Sequence, residues 1–185
     1  MTTASATVLP GLTTGTWSID PGHSEVSFTV RHLMSKVRGN FSDFSGEVRI
    51  AEQLAGSTAT AEISIASVDT RNEQRDGHLR SAEILDAEAF PTMSFTATGV
   101  REQGSDYVVT GDLTIKDATR PVELAVEFLG VSGDPWGGVR AGFSARTQIS
   151  RDEFGIDFNI PFEGDKLLLG DKIDINLEIQ AVHQG

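Results

Sequence analysis

Residues 173–181, "IDINLEIQA", put Ile173, Ile175, Leu177, Ile179 and Ala181 at every second position, with Asp174, Asn176, Glu178 and Gln180 between them. Side chains alternate across a strand, so this stretch has one apolar and one polar face. A slip of one residue would turn every polar group inward, which fixes the register.

The same period extends toward the N-terminus. Val139, Ala141, Phe143, Ala145, Thr147 and Ile149 keep step, as do Val122, Leu124, Val126 and Phe128, and Tyr107, Val109, Gly111, Leu113 and Ile115. Residues 92–100, 58–68 (with Ile63 and Ile65) and 36–50 also read as strands, and Val26, Phe28, Val30 and His32 share one face of another. A first strand in "GTWSID" breaks at Pro21-Gly22. About eight strands of about ten residues, joined mostly by short turns, predict an antiparallel barrel or a sandwich. Strands of that length run roughly 30 Å, and a closed eight-stranded barrel has room for one elongated ligand. The inward faces mix large residues (Phe28, Phe95, Phe143) with small ones (Ala97, Gly111, Ala141, Ala145). Such a mixture either leaves an apolar channel or packs small side chains beside large neighbours.

One stretch breaks the period: residues 69–95, "DTRNEQRDGHLRSAEILDAEAFPTMSF". Thr70 with Glu73 suits a capping box, and Leu79, Ile84 and Leu85 give a short apolar face. Asp86 suits the cap of a second short helix that Pro91 ends. Neither piece is long enough to stand alone, so the expectation is a helical insert at about 70–91 lying against the β body.

Composition limits what the chain does. Its 185 residues suit one domain, expected over 15–183 behind a flexible polar arm at 1–14. A net charge of -12 argues against nucleic acid and against electrostatic docking on anionic lipid. With no cysteine there is no disulfide, thiolate nucleophile or cysteine zinc site. No apolar run suggests a membrane span, and the N-terminus shows no secretory signal pattern, so the expected location is the cytoplasm.

His23, His32 and His78 raise a metal or acid–base reading, although no pair has helical metal-ligand spacing. His32, in phase with Val30, points inward either as a polar contact to a ligand or as a satisfied buried histidine. Arg71, Arg75 and Arg80 either meet an anionic head group or pair locally with Glu73 and Asp76. No nucleophile elbow, phosphate-cradling loop or dinucleotide fingerprint occurs. In "SRDEFGIDFNIPFEG", Phe154, Ile156, Phe158, Ile160 and Phe162 alternate, to line one end of a cavity, close the barrel or pack on a second subunit.

Five separated motifs together resemble the YceI-like family: "DPGHSEVSFTVRHLMSKVRGNFSDFSGEV", the 69–95 stretch, "GDLTIKDATRPVEL", "ISRDEFGI" and "LLGDKIDINLEI". The resemblance spans residues 16–182. It implies an extended lipocalin-like antiparallel eight-stranded barrel that encloses a long apolar ligand, such as a polyisoprenoid, an isoprenoid quinone or a fatty-acid-like amphiphile. The expected role is that of a non-enzymatic binding protein without a cofactor, with transport, storage and sensing of the ligand left open, and with a possible homodimer. Two departures stand out: Asp117, where the family usually has glycine, and Ile84, where an aromatic residue is common. Within that barrel Phe28, Val30, His32, Ile63, Ile65, Leu79, Phe95, Val109, Leu113, Phe143 and Phe154 are the expected ligand contacts. His78, Arg80 and Arg151 are the expected partners of a head group. An enzyme acting on a lipid-like substrate through His23, His32 or His78, and an interaction module with a filled core, are the competing readings.

Overall fold

Strand alternation prevails along nearly the whole chain in a computed structural model that describes residues 9–164 and 166–185. The strand segments are β1 (Gly15–Ile19), β2 (Glu25–His32), β3 (Ser35–Phe41), β4 (Phe44–Ile50), β5 (Thr58–Ser64) and β6 (Val68–Asp69). The helix α1 (Glu73–Arg80) comes next. Then follow β7 (Thr92–Gln103), β8 (Asp106–Ile115), β9 (Ala118–Gly133), β10 (Val139–Ser150), the short β11 (Pro161–Phe162) and β12 (Lys166–Leu167), and β13 (Leu169–His183).

Every pairing is antiparallel, in the order β1-β4-β5-β7-β8-β9-β10-β13, and β13 returns to β1 through Trp17↔His183 and Ile19↔Ala181. That return closes an eight-stranded lipocalin-like barrel. A closed barrel leaves no free sheet edge, which is the main hazard of a long antiparallel sheet.

β2, β3 and β6 belong to the same barrel wall as β1, β4 and β5. Along one edge of β13, β1 covers residues 181–183 and β2 covers 169–178. β3 runs beside β2 as β4 runs beside β1, and β6 pairs β3 as β5 pairs β4. Three successive wall strands are therefore interrupted at one level. The interruptions are the 3₁₀ turn Pro21–His23, the gap at Ser42 and Asp43, and the 3₁₀ turn Ile65–Ser67. Proline at 21 removes a ladder donor, which is why β1 stops there. Ser42, Ser67 and Asp43 re-pair the freed backbone groups through Ser42 N to Ser67 O at 3.3 Å and Ser64 N to Asp43 O at 2.9 Å.

The insert is smaller in helix than its sequence predicts. Asn72, not Thr70, caps α1 by accepting from the Arg75 amide at 3.0 Å. Thr70 is buried and tied instead to the buried carboxylate of Asp76, from its amide at 2.9 Å and its hydroxyl at 2.5 Å. Arg75 closes the knot by donating to the Thr70 hydroxyl and carbonyl, each at 2.7 Å. No second helix follows, only turns: Asp86 adopts φ of 51°, a left-handed conformation incompatible with an N-cap. Ile84 and Leu85 nevertheless face inward and seal the adjoining barrel end with Phe41, Ile65, Val68, Phe154 and Ile156.

Candidate functional site

β13 shows how the interior is divided. Ile173 packs into the cluster sealed by the insert, Ile175, Leu177 and Ile179 line a cavity, and Ala181 is fully buried in a second cluster at the far end. From Ile175 to Ile179 the strand advances roughly 13 Å. The cavity between the two clusters holds about 240 Å³. That is a little below the ordinary range for sites that take drug-sized molecules, roughly 300–1,000 Å³.

Alternation puts the lining in place. From β9 come Val122, Leu124, Val126 and Phe128; from β10, Phe143 and Ala145; from β7, Met93, Phe95 and Ala97; from β4, Phe44, Val48 and Ile50. Of the two outcomes that a mixture of large and small inward residues allows, open space holds at Ala97 and Ala145, both buried inward-facing positions on the wall. At Gly111 a side chain would strike the ring of Phe95 and the Thr96 carbonyl, so only glycine lets Phe95 lie flat on β8. Among the described residues, the polar ones in the lining are Ser57, Thr58, Thr60, Tyr107 and Thr147, and none that lines the cavity is charged. The Ser57 hydroxyl is already engaged by the Ala51 amide at 3.0 Å. Burial, with Glu102 and Asp106 adding to it, raises the pKa of the Tyr107 phenol, so Tyr107 stays neutral.

Of the residues expected from sequence to meet a ligand, Ile63, Phe95, Val109, Leu113 and Phe143 line this cavity. Others lie outside the lining. Phe28 packs on Phe41 with ring centroids 5.5 Å apart, and Val30 pairs with Val37 and Ile173 nearer the insert. Ile65 and Phe154 are buried within the cluster that seals that end, and Leu79 packs against it. His32 closes the β2–β3 hairpin opposite Ser35.

The expected head-group residues have structural partners. Arg151 is buried and donates to the carbonyls of Gly170 (2.8 Å), Ile156 (2.9 Å), Phe158 (2.7 Å) and Leu169 (3.5 Å). Its fork is thereby committed to shaping the loop that follows β10. Arg80 reaches the Ala66 carbonyl at 3.4 Å. His78 pairs with Glu83 at 2.5 Å and meets Phe158 edge-on at 4.7 Å. His23 is exposed and bound to Asp20 at 2.8 Å. Neither His23, His32 nor His78 lines the cavity, and among the described residues no group of three or more His, Asp or Glu side chains is arranged to hold a metal. Of the alternating aromatic segment, Phe154 and Ile156 are core, Phe158 is half-buried and Ile160 is exposed; the Phe162 side chain lies outside the described residues. Ile84, which stands where an aromatic residue is common in the family, is buried in the core.

The far end holds residues that sequence reading missed. Trp17 is fully buried against Leu12, Ala141 and Ala181, with Leu9 and Val131 packed on the same cluster. Leu9 and Leu12 also line the cavity. Both lie in the segment expected to be a flexible arm; these two leucines pack on the barrel while Pro10, Gly11, Thr13 and Thr14 are exposed, and residues 1–8 lie outside the described ones. The missing signal is understandable: two leucines in a polar stretch show no period.

An electrostatic lock lies nearby. Arg140 donates to Asp20 at 2.7 Å and to Asp134 at 2.9 Å, and so ties the β9–β10 connection to the break between β1 and β2. Arg140, then His23, hold the Asp20 carboxyl down at about 2. The Gly138 amide, helped by Arg140, lowers that of Asp134.

A closed eight-stranded antiparallel barrel around an apolar-lined cavity defines the lipocalin-like class of barrel. Within that class the chain belongs to the YceI-like domain family, whose model matches residues 17–181. It is 37% identical to Protein YceI of Escherichia coli over 164 residues, covering 88% of this chain and 83% of that protein. BcnA of Burkholderia cenocepacia shares the fold with a TM-score of 0.75 at 23% identity, covering 88% of this chain and 98% of the other. A polyisoprenoid binding domain from Saccharophagus degradans does so with a TM-score of 0.69 at 14% identity, covering 90% and 98%. Among the described residues, no helix is long and apolar enough to cross a membrane.

Proposed function

We propose that the protein is a non-enzymatic carrier that shields one long apolar chain, of isoprenoid or fatty-acid type, inside its barrel. The observation that supports this most is the cavity wall, where inward side chains from β4, β5, β7, β8, β9, β10 and β13 converge without a single charged one among the described residues. Burying each methylene is worth about 0.8 kcal/mol, so an apolar chain needs no catalytic or ionic group to be held. The absence of charge on the wall favours a ligand whose buried part is uncharged, with any polar head outside. The polyisoprenoid binding of the Saccharophagus degradans domain is in keeping with this ligand class.

Calorimetric titration with a long-chain isoprenoid alcohol tests the proposal. Saturable binding with a negative heat-capacity change is expected, because apolar burial lowers the heat capacity. Absence of saturable binding across isoprenoid and straight-chain alcohols contradicts it.

A further inference from the structure

The cavity ends on a segment that is not part of the barrel wall. Leu9 and Leu12 contribute to its lining, and Leu12 is 6% exposed although it precedes β1. The segment lies on the barrel mainly by apolar contact. Its own backbone bonds run from Leu12 N to Leu9 O and from Thr13 N to Gly11 O, both at 3.0 Å. Its remaining links are to side chains: Trp17 Nε1 donates to Thr13 O at 3.0 Å, and His183 Nε2 lies 3.1 Å from Thr14 O. Gly11, at φ of 80°, sits so close to Val131 that a side chain there would come within 3.0 Å of it. The segment is thus closely fitted, yet among the described residues it shares no ladder bonds with the sheet, and it can leave without breaking any strand pairing there.

We infer that residues 9–14 form a displaceable stopper that sets the length of chain the barrel accepts. Leu9 and Leu12 occupy volume at the end of the cavity, and a chain too long for the remaining space enters by pushing them out. The inference rests on the apolar-chain reading above. The stopper precedes residue 17, where the family match begins. Trp17 reports on the stopper, because Leu12 covers its indole and Thr13 accepts its N–H.

The test is uptake of straight-chain 1-alkanols of increasing length, read by native mass spectrometry on the full chain and on its Leu9→Ala/Leu12→Ala variant. The unaltered protein is expected to show weakened uptake beyond a cutoff length. In the variant the cutoff moves to longer chains by roughly six carbons, the number of side-chain carbons removed from a close-packed interior. A shared cutoff overturns the stopper and leaves the chain-binding reading standing. Failure of both proteins to take up any alkanol overturns both.

A second measurement keeps every stopper residue in place. Trp17 and Trp136 are the chain's only tryptophans, and Trp136 is 77% exposed. In a Trp136→Phe variant, Trp17 emission is expected to shift to the red when an alkanol longer than the cutoff binds, and to stay constant with a shorter one. Constant emission with the long chain bound overturns the stopper.

Discussion

The ring of Phe95 lies across the backbone of Gly111, in the space that any side chain at position 111 would need. The two residues are diagonal neighbours on β7 and β8, since Phe95 pairs with Leu113 and Ala97 with Gly111. Gly111→Ala is therefore expected to push the ring toward the cavity, press on the Thr96 carbonyl and cost about 1–3 kcal/mol. Urea unfolding measures it, and a variant of unchanged stability contradicts the close approach.

Ala145 marks where the interior was left unfilled. It is 7% exposed and borders the cavity between Phe143 and Thr147 on β10. Ala145→Leu is expected to occupy part of the ligand's space. Losing about two buried methylenes at ~0.8 kcal/mol each weakens chain binding about tenfold. Titration of the variant with a long-chain alcohol checks this, with circular dichroism confirming the fold.

Arg151 separates a structural role from a ligand role. Four carbonyls accept from its guanidinium. Arg151→Ala orphans those groups, and about 3 kcal/mol or more of stability is expected to go. Lysine does not restore it, since an ammonium lacks the planar fork. At temperatures where the variant stays folded, its affinity for an uncharged chain is expected to match that of the unaltered protein. A selective loss of affinity at unchanged stability would point to ligand contact instead.

Asp20 gives the pH dependence a sign. Its carboxyl is held at about 2, below its ordinary 3.8, so the native state binds this proton more weakly than the unfolded chain does. The contribution is complete above pH 4 and disappears as the pH falls from about 4 to 2. The stability difference between the unaltered protein and Asp20→Asn is expected to shrink over that window in urea melts at successive pH values. A difference that stays constant down to pH 2 would contradict the Arg140–Asp20 lock.

Alternation in β8, β9, β10 and β13 was enough to read the wall strands and most of the inward faces, because a half-buried strand repeats every two residues. What depends on particular side-chain contacts rather than on a repeating period was not legible. Arg151 looks like a free cation until the loop brings carbonyls up to 19 residues away around it. Thr70 resembles a helix cap until Asp76 folds back onto it. The three aligned interruptions in the wall show only when the strands are laid side by side. Leu9 and Leu12 carry no pattern at all, since two leucines acquire a role only through Trp17, Ala141 and Ala181. The cavity itself was half legible: the sequence marked Ala97, Gly111 and Ala145 as small, but only the packing shows which of them open space and which accommodate a ring.

Whether this barrel holds a long apolar chain is decided by mass spectrometry of the protein purified under native conditions, followed by analysis of its organic extract. The expected result is an adduct of one consistent mass class, released by organic solvent and identified as an isoprenoid or acyl chain. Protein that is free of adduct and that also fails to take up long-chain amphiphiles added to it would overturn the chain-binding function.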